Sequence, residues 1–477
     1  MIKKCLMFVL FALILGMFGG CNRNGSGSGM PGLDPGNPVT ITIWHYYTGV
    51  VLSAFEGMIN EFNESIGRDR GIIVEGFSFG SVGDLEAAAR ASANQEAGSL
   101  PLPNIFSSFP DTAYATKQLG LLSNMNNYFT AEQQAEYFPP FIDRGRIGND
   151  GELHIFPVSK STEVMFLNHT AWIPFAAAHG LSYDDLLTME GVVRVAQIYY
   201  NYTGGLAFFG RDAIANMFII GSKQFGTEIF EVHQGSAEIN INEEVMRRIW
   251  DYYYTPFISG YFAAFGRFRS DDVRVGDLMA YVGSTVSAVF FPTEVRVDGE
   301  SHPIEARVLP APLFEAGNPV MVQQGAGKVV TISTPEEQYA SLIFLRWFTE
   351  PAQNLRFSAL TSYMPVRIAA MDTDLIRAAA EEHDLNFNPI AAATLEIAIE
   401  AMQTSEIYAT SSFTSGVEAR SILTNTIRNK ALNDRALVLE KIENGIPREY
   451  AIAYFASYDN FRSWVDGLRN ELVTAAG

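Results

Sequence analysis

The stretch Gly76-Phe77-Ser78-Phe79-Gly80 fits the G-x-S-x-G spacing of a nucleophile elbow, in which a serine stands exposed on a strand-to-helix turn. Ser78 is expected inside an aromatic strand and not at its end, so the spacing does not support acyl-transfer chemistry. The seven histidines, at 45, 154, 169, 179, 233, 302 and 383, show neither HxxxH nor HExxH spacing and have no cysteine companions, so no metal site is expected. Gly325-x-Gly327 precedes an extended run and not a helix, which rules it out as a dinucleotide or phosphate loop. No pair of carboxylates stands out as the acid and nucleophile of a glycan hydrolase. What is left is binding chemistry without a cofactor. The chain holds 34 Phe, 20 Tyr and 5 Trp, 12 % aromatic in all. That suits a polar ligand with flat faces, because sugar rings lay C–H patches on aromatic faces while their buried hydroxyls need paired donors and acceptors.

The chain that must position such groups is 477 residues long, enough for roughly two or three domains. At 48 % hydrophobic and 18 % charged it is a core-forming sequence, and a net charge of −20 with no basic run speaks against nucleic acid as a partner. Lys3 and Lys4 precede an apolar run from Cys5 to Phe18, too short to span a membrane but with the length and flanks of a signal peptide. Gly19-Gly20-Cys21 resembles a lipobox, with Phe18 where leucine is usual. Residues 1–20 are therefore expected to be removed and Cys21 to be lipidated. The Gly/Ser/Pro-rich segment 21–38 is expected to act as a flexible tether. No cysteine follows Cys21, so no disulfide framework is available. The expected place is the cell envelope, lipid-anchored to a membrane and facing the periplasm or the outside.

Val39–Trp44 alternates apolar and polar residues and predicts a first strand. A helix follows over about 50–66, a second strand over 72–79, an alanine-rich helix over 84–96 and a third apolar run over 104–109. This order is the mark of a parallel sheet covered by helices. Ligands of such sheets sit beyond the carboxyl ends of the strands, which points to 45–48, 79–81 and 107–111. Later, Thr334-Pro335-Glu336-Glu337 is a capping box with proline at the first helical position, opening a helix to about Thr349. From Leu375 onward the chain reads as mostly helical.

Several motifs resemble, in consistent order, the family 1 extracellular solute-binding proteins of bacterial ABC importers, which include maltose and glycerol-phosphate binders. Gly151, His154, Pro157, Val158, Ser161, Thr162, Phe166 and Asn168 resemble that family's first crossing between lobes, with His154 where an aromatic is usual. Gly276, Met279 and Gly283 resemble its glycine-turn segment, with Asp277 in place of lysine. The block from Gly325 to Gln353 resembles its return crossing and helix, and Ser362 to Arg367 its third crossing, with Ser362 replacing glycine.

The resemblance implies an α/β, periplasmic-binding-protein-like fold of type II. Its two lobes would be about 39–155 with 326–362, and 156–322 with 368–477, joined by three hinge crossings near 155–162, 322–329 and 363–369. It implies a non-enzymatic monomer that closes on a sugar or related polyol and delivers it to a permease. Ligand contact is expected at His45, Tyr46, Tyr47, Asp111, Ser161, Thr162, Gly283, Ser284, Gly325, Gly327, Tyr363 and Arg367. Asp111 would accept hydroxyl protons, and Arg367 could meet a phosphate, a hydroxyl or a structural carboxylate. Glycerol-phosphate or glycerophosphodiester binding, a lipid-anchored glycan hydrolase and an adhesion lipoprotein stand as alternatives.

Overall fold

The computed structural model describes residues 30–476 apart from 149, 234, 384 and 386. The leader and Cys21 lie outside the described residues.

The first strand, β1 (Val39–His45), is followed by α1 (Gly49–Phe62), whose apolar spacing buries Val51, Phe55, Met58, Ile59 and Phe62. Strand β2 (Ile72–Ser78) leads into α2 (Val82–Ala93), where the Ser81 side chain caps the helix by accepting from the Asp84 backbone N–H. Strand β3 (Ile105–Ser108) leads into α3 (Pro110–Gln118), with proline in the first turn, where a missing N–H costs nothing. A second set of elements begins with β4 (Glu163–Asn168) and continues through α4 (Met189–Thr203), β5 (Phe209–Arg211), α5 (Ile214–Gln224), β6 (Ala280–Ser284) and β7 (Ala306–Pro310). The chain then returns in β8 (Gly327–Val330) and α6 (Pro335–Phe348), whose Thr334/Glu337 capping box forms as its sequence requires. Helices α7 (Pro351–Thr361), α8 (Thr373–Glu382), α9 (Pro389–Thr404), α10 (Gly416–Glu443) and α11 (Tyr458–Ala476) complete the main framework.

The strands assemble into two four-stranded sheets, ordered β8-β3-β1-β2 and β7-β4-β6-β5. In the first, β1 pairs in parallel with β2 and β3, and β8 closes the edge antiparallel to β3. In the second, β4 is antiparallel to both β7 and β6, and β5 is parallel to β6. Each sheet has its own apolar core. Ile41, Ile43, Phe55, Phe62, Phe344 and Phe348 belong to the first, and Met165, Trp172, Phe218, Trp250 and Leu423 to the second. We call each sheet with its core a lobe.

Three backbone segments run side by side where the lobes meet. Phe156 and Lys328 exchange backbone hydrogen bonds at 2.7 and 2.9 Å, Ser161 and Gln324 at 3.1 and 2.8 Å, and Lys160 and Met364 at 3.1 and 2.7 Å. These are the stretches expected to pass between the lobes. Within 153–156 only Phe156 forms a bridge, to Lys328, and the other residues have no neighbouring strand to pair with.

Two further departures from the sequence reading have simple causes. Residues 368–399, grouped by sequence with the second lobe, contribute Ile376, Ala379 and Ala380 of α8 to the first-lobe core, because that helical face packs on α7. Helix α9 has apolar residues on two faces: Leu395, Ala398 and Ile399 join the first-lobe core, while Ile390, Ala393 and Ile397 pack against residues of the second sheet. Ser78, expected inside its strand, is the last residue of β2, and its hydroxyl donates to the Tyr47 carbonyl at 2.7 Å.

Candidate functional site

The loops at the carboxyl ends of β1, β2 and β3 face the second lobe across a cleft of about 1540 Å³. Tyr46, Tyr47 and Thr48 enter it after β1, Gly80 and Ser81 after β2, and Phe109, Pro110 and Asp111 after β3. The second lobe contributes Ala213 and Asn216 after β5 and Ser284, Ser287 and Phe290 after β6. The three side-by-side segments form one wall through Ser161, Gly325, Gly327 and Tyr363.

Aromatic rings cluster on that wall. Tyr46 and Tyr47 lie 5.3 Å apart between ring centroids, Tyr47 and Tyr363 6.2 Å, and Tyr363 stacks on Phe357 at 6.0 Å. Burial raises the pKa of Tyr46, Tyr47 and Tyr363, so their hydroxyls stay protonated and can both donate and accept. The glycines have their own geometric reasons. Gly325 sits at φ +95°, and a Cβ there would press on Ser159 O at 3.2 Å and Lys160 Cα at 3.3 Å. A Cβ on Gly327 would lie 2.2 Å from Ile155 Cγ2.

Eight of the twelve expected positions therefore line the cleft, namely Tyr46, Tyr47, Asp111, Ser161, Ser284, Gly325, Gly327 and Tyr363. Asp111 does so with its carboxylate already engaged, accepting from the Phe413 backbone N–H at 3.3 Å and from Arg420 Nε at 3.4 Å. Burial raises its pKa against the pull of Arg420.

The other four do not line the cleft. His45 is 1 % exposed beneath it, with Nδ1 accepting from the Tyr47 N–H at 3.2 Å and its ring against Phe55. Burial, with Lys328 nearby, pushes its pKa down to about 3, so it is a neutral packing residue. Thr162 is buried, and its carbonyl accepts from Thr285 N–H at 2.9 Å. Gly283 pairs with Val164 inside the second sheet, where a Cβ would meet Asp212 and Ser287 at 3.0 Å. Arg367 turns into the first lobe: it pairs with Glu136, donates to the Arg346 carbonyl at 3.3 Å and lies over the Tyr137 ring at 5.1 Å.

Sequence reasoning missed the charged lining. Lys160 stands in the first of the three side-by-side segments, 6 % exposed, with Nζ donating to the Gly325 carbonyl at 3.0 Å, and burial pushes its pKa down to about 8. It was legible as the lone cation in Pro157-Val158-Ser159-Lys160-Ser161-Thr162. Glu86, Lys117, Arg144, Arg267 and Arg420 had no local signal, because tertiary packing alone brings them to the cleft.

Two α/β lobes with a polar and aromatic cleft between them make the architecture of the periplasmic-binding-protein-like receptors. A family model for the bacterial extracellular solute-binding proteins matches residues 57–382, well over half of the chain, and the chain belongs to that family. The fold resembles the cyclic alpha-maltosyl-1,6-maltose binding protein of Arthrobacter globiformis, with a TM-score of 0.66, 18 % identity and 92 % of this chain and 99 % of that chain covered. It also resembles UgpB of Mycobacterium tuberculosis in complex with glycerophosphocholine, with a TM-score of 0.66, 16 % identity and coverage of 91 % and 99 %. A third similar structure is the ABC substrate-binding protein Lmo0181 of Listeria monocytogenes in complex with cycloalternan, with a TM-score of 0.64, 13 % identity and coverage of 92 % and 100 %. At these identities the likeness speaks to fold. No curated protein matches the chain in sequence. Among the described residues no helix is long and apolar enough to cross a membrane.

Proposed function

We propose that the protein is the substrate-binding component of an ABC importer, capturing a sugar or related polyol between its lobes and presenting it to a permease. The observation that carries this reading is the Tyr46, Tyr47, Tyr363 and Ser161 cluster on the wall of a cleft large enough for an oligosaccharide. Aromatic faces suit sugar C–H patches, and protonated hydroxyls suit sugar hydroxyls. Family membership and the sugar-type ligands of similar structures support it. The lobes would be about 39–155 with 326–362 and 156–322 with 368–477, with α8 moving as part of the first. The three hydrogen-bonded passes near 155–162, 322–329 and 363–369 are the natural hinge, since closure by rotation about them buries the solute and excludes water. The solute stabilises the closed arrangement by its differential affinity, which marks the loaded state for the permease. Lipidation at Cys21 would hold a monomeric receptor at the membrane surface outside the cytoplasm.

Glycerol-phosphate or glycerophosphodiester binding is the second reading, supported by the likeness to UgpB. It no longer draws on Arg367, whose guanidinium is engaged within the first lobe. The test is a thermal-shift screen of the purified protein against sugars, sugar phosphates and glycerophosphodiesters. A solute at about 100 times its dissociation constant adds roughly 2.7 kcal/mol to the folded state. No shift with any of these, or release of reducing ends from a bound glycan, would end the receptor reading.

A further inference from the structure

The charged groups of the cleft do not balance as those of the chain do. The whole sequence carries 53 Asp and Glu against 33 Lys and Arg. The cleft reverses this: Glu86, Asp111, Asp143, Asp150 and Asp271 face Lys117, Arg144, Arg146, Lys160, Arg267, Arg274 and Arg420. Four of the carboxylates are already matched, Asp111 by Arg420 at 3.4 Å, Asp143 by Arg146 at 3.8 Å, Asp150 by Lys117 at 2.6 Å and Asp271 by Arg274 at 3.4 Å. Lys160, Arg144 and Arg267 stand without a carboxylate partner among the described residues.

Of these three, Lys160 is the one whose isolation matters energetically. It is 6 % exposed, whereas Arg267 is exposed and Arg144 only half-buried, so water compensates it least. Its ammonium carries three donors, and one is used, on the Gly325 carbonyl at 3.0 Å. A buried cation held by a single neutral acceptor is costly, and a sugar hydroxyl would leave that charge uncompensated. An oxyanion would compensate it, and closure of the lobes, by removing water, would strengthen the attraction.

We propose that the solute carries an oxyanion, a carboxylate or a phosphate, and that Lys160 is the residue that selects it. This rests on the reading of the cleft as the solute site. Lys160 lies in the first crossing and bonds to the second, so the charge it meets would sit against the hinge, at the bottom of the cleft and not at its rim.

The test is calorimetric titration of the full chain, wild type and Lys160→Met, with four series of probes. These are uronic-acid oligosaccharides, the same oligosaccharides with carboxyls reduced to alcohols, glycerol and sugar phosphates, and their dephosphorylated forms. One of the two anionic series is expected to bind about tenfold or more tightly than its neutral counterpart, with affinity falling as salt rises. Which series responds tells carboxylate from phosphate. Lys160→Met is expected to abolish the preference while the unliganded melting temperature holds or rises, because a buried charge has been removed. Lys160→Arg should restore part of it. Equal binding of neutral and anionic forms would overturn the inference and leave the receptor reading standing. A Lys160→Met protein that loses neutral and anionic binding alike would overturn it too, by showing a structural role at the hinge. Silence of all four series would instead overturn the receptor reading itself.

Discussion

Nε of Arg420, near the start of α10, lies 3.4 Å from Oδ2 of Asp111 in the first turn of α3, so this ion pair joins the second lobe to the first along the lining of the cleft. Oδ1 of the same carboxylate accepts from Phe413 N–H at 3.3 Å. Gly416 leaves room for it, since a Cβ there would stand 2.3 Å from Oδ1. A carboxylate tied this way already has two donors of the chain itself, where the sequence had suggested a solute hydroxyl.

The pair should therefore act on solute affinity as a unit. Asp111→Ala and Arg420→Ala are each expected to speed solute release, and the double variant to be no worse than either single one. The coupling energy expected from a double-mutant cycle is about 0.5–2 kcal/mol. Additive losses, or an Arg420→Ala protein with unchanged affinity beside a crippled Asp111→Ala, would return Asp111 to the solute.

Arg367 gives the opposite pattern. Its pairing with Glu136, its bond to the Arg346 carbonyl and its place over Tyr137 lie within the first lobe. Arg367→Ala is expected to lower stability by about 1–3 kcal/mol, from lost packing and a lost partly buried pair, while solute affinity stays within about twofold. Urea denaturation alongside titration separates the two effects.

His45 predicts an acid-sensitive core. Its pKa is pushed down to about 3 from 6.5, first by burial and then by Lys328. Between those values the unfolded chain takes up a proton that the folded chain refuses, so stability falls as pH drops from 6.5 toward 3. The contribution lost between pH 6.5 and pH 5 is about 2 kcal/mol. Chemical denaturation of wild type and His45→Gln at both pH values checks this: the variant should lose less over that interval, and parallel losses would assign the acid limb to carboxylates.

Gly327 tests the wall formed by the three side-by-side segments. A methyl group there would stand 2.2 Å from Ile155 Cγ2 and 2.9 Å from the Phe156 carbonyl, next to the Phe156–Lys328 backbone pair. Gly327→Ala is expected to cost about 1–3 kcal/mol of stability. Gly80→Ala, where no atom lies within 4 Å, should show only the smaller strain of its φ of +73°.

Local pattern and ordered motifs were enough to read the class of fold, most of its strands and helices, and the loops that frame the cleft. Alternation, capping boxes and Pro at helix starts act within a few residues, as β1, α3 and α6 show. The strand-end rule brought Tyr46, Tyr47 and Asp111 to the right place for the same reason: a loop after a parallel strand has only one end of the sheet to occupy. Side-chain direction and distant partners were beyond that reach. His45 and Tyr46 are neighbours in sequence yet only Tyr46 lines the cleft, because His45 is the last residue of β1, with its ring packed on Phe55, and Tyr46 begins the loop that follows. Arg367 and Asp111 look equally available as residue types, but Glu136 and Arg420, 231 and 309 positions away, already hold them. The surplus of positive charge along the cleft lining is likewise a property of the assembled cleft, since Coulomb forces depend on distance in space and the sequence records only distance along the chain.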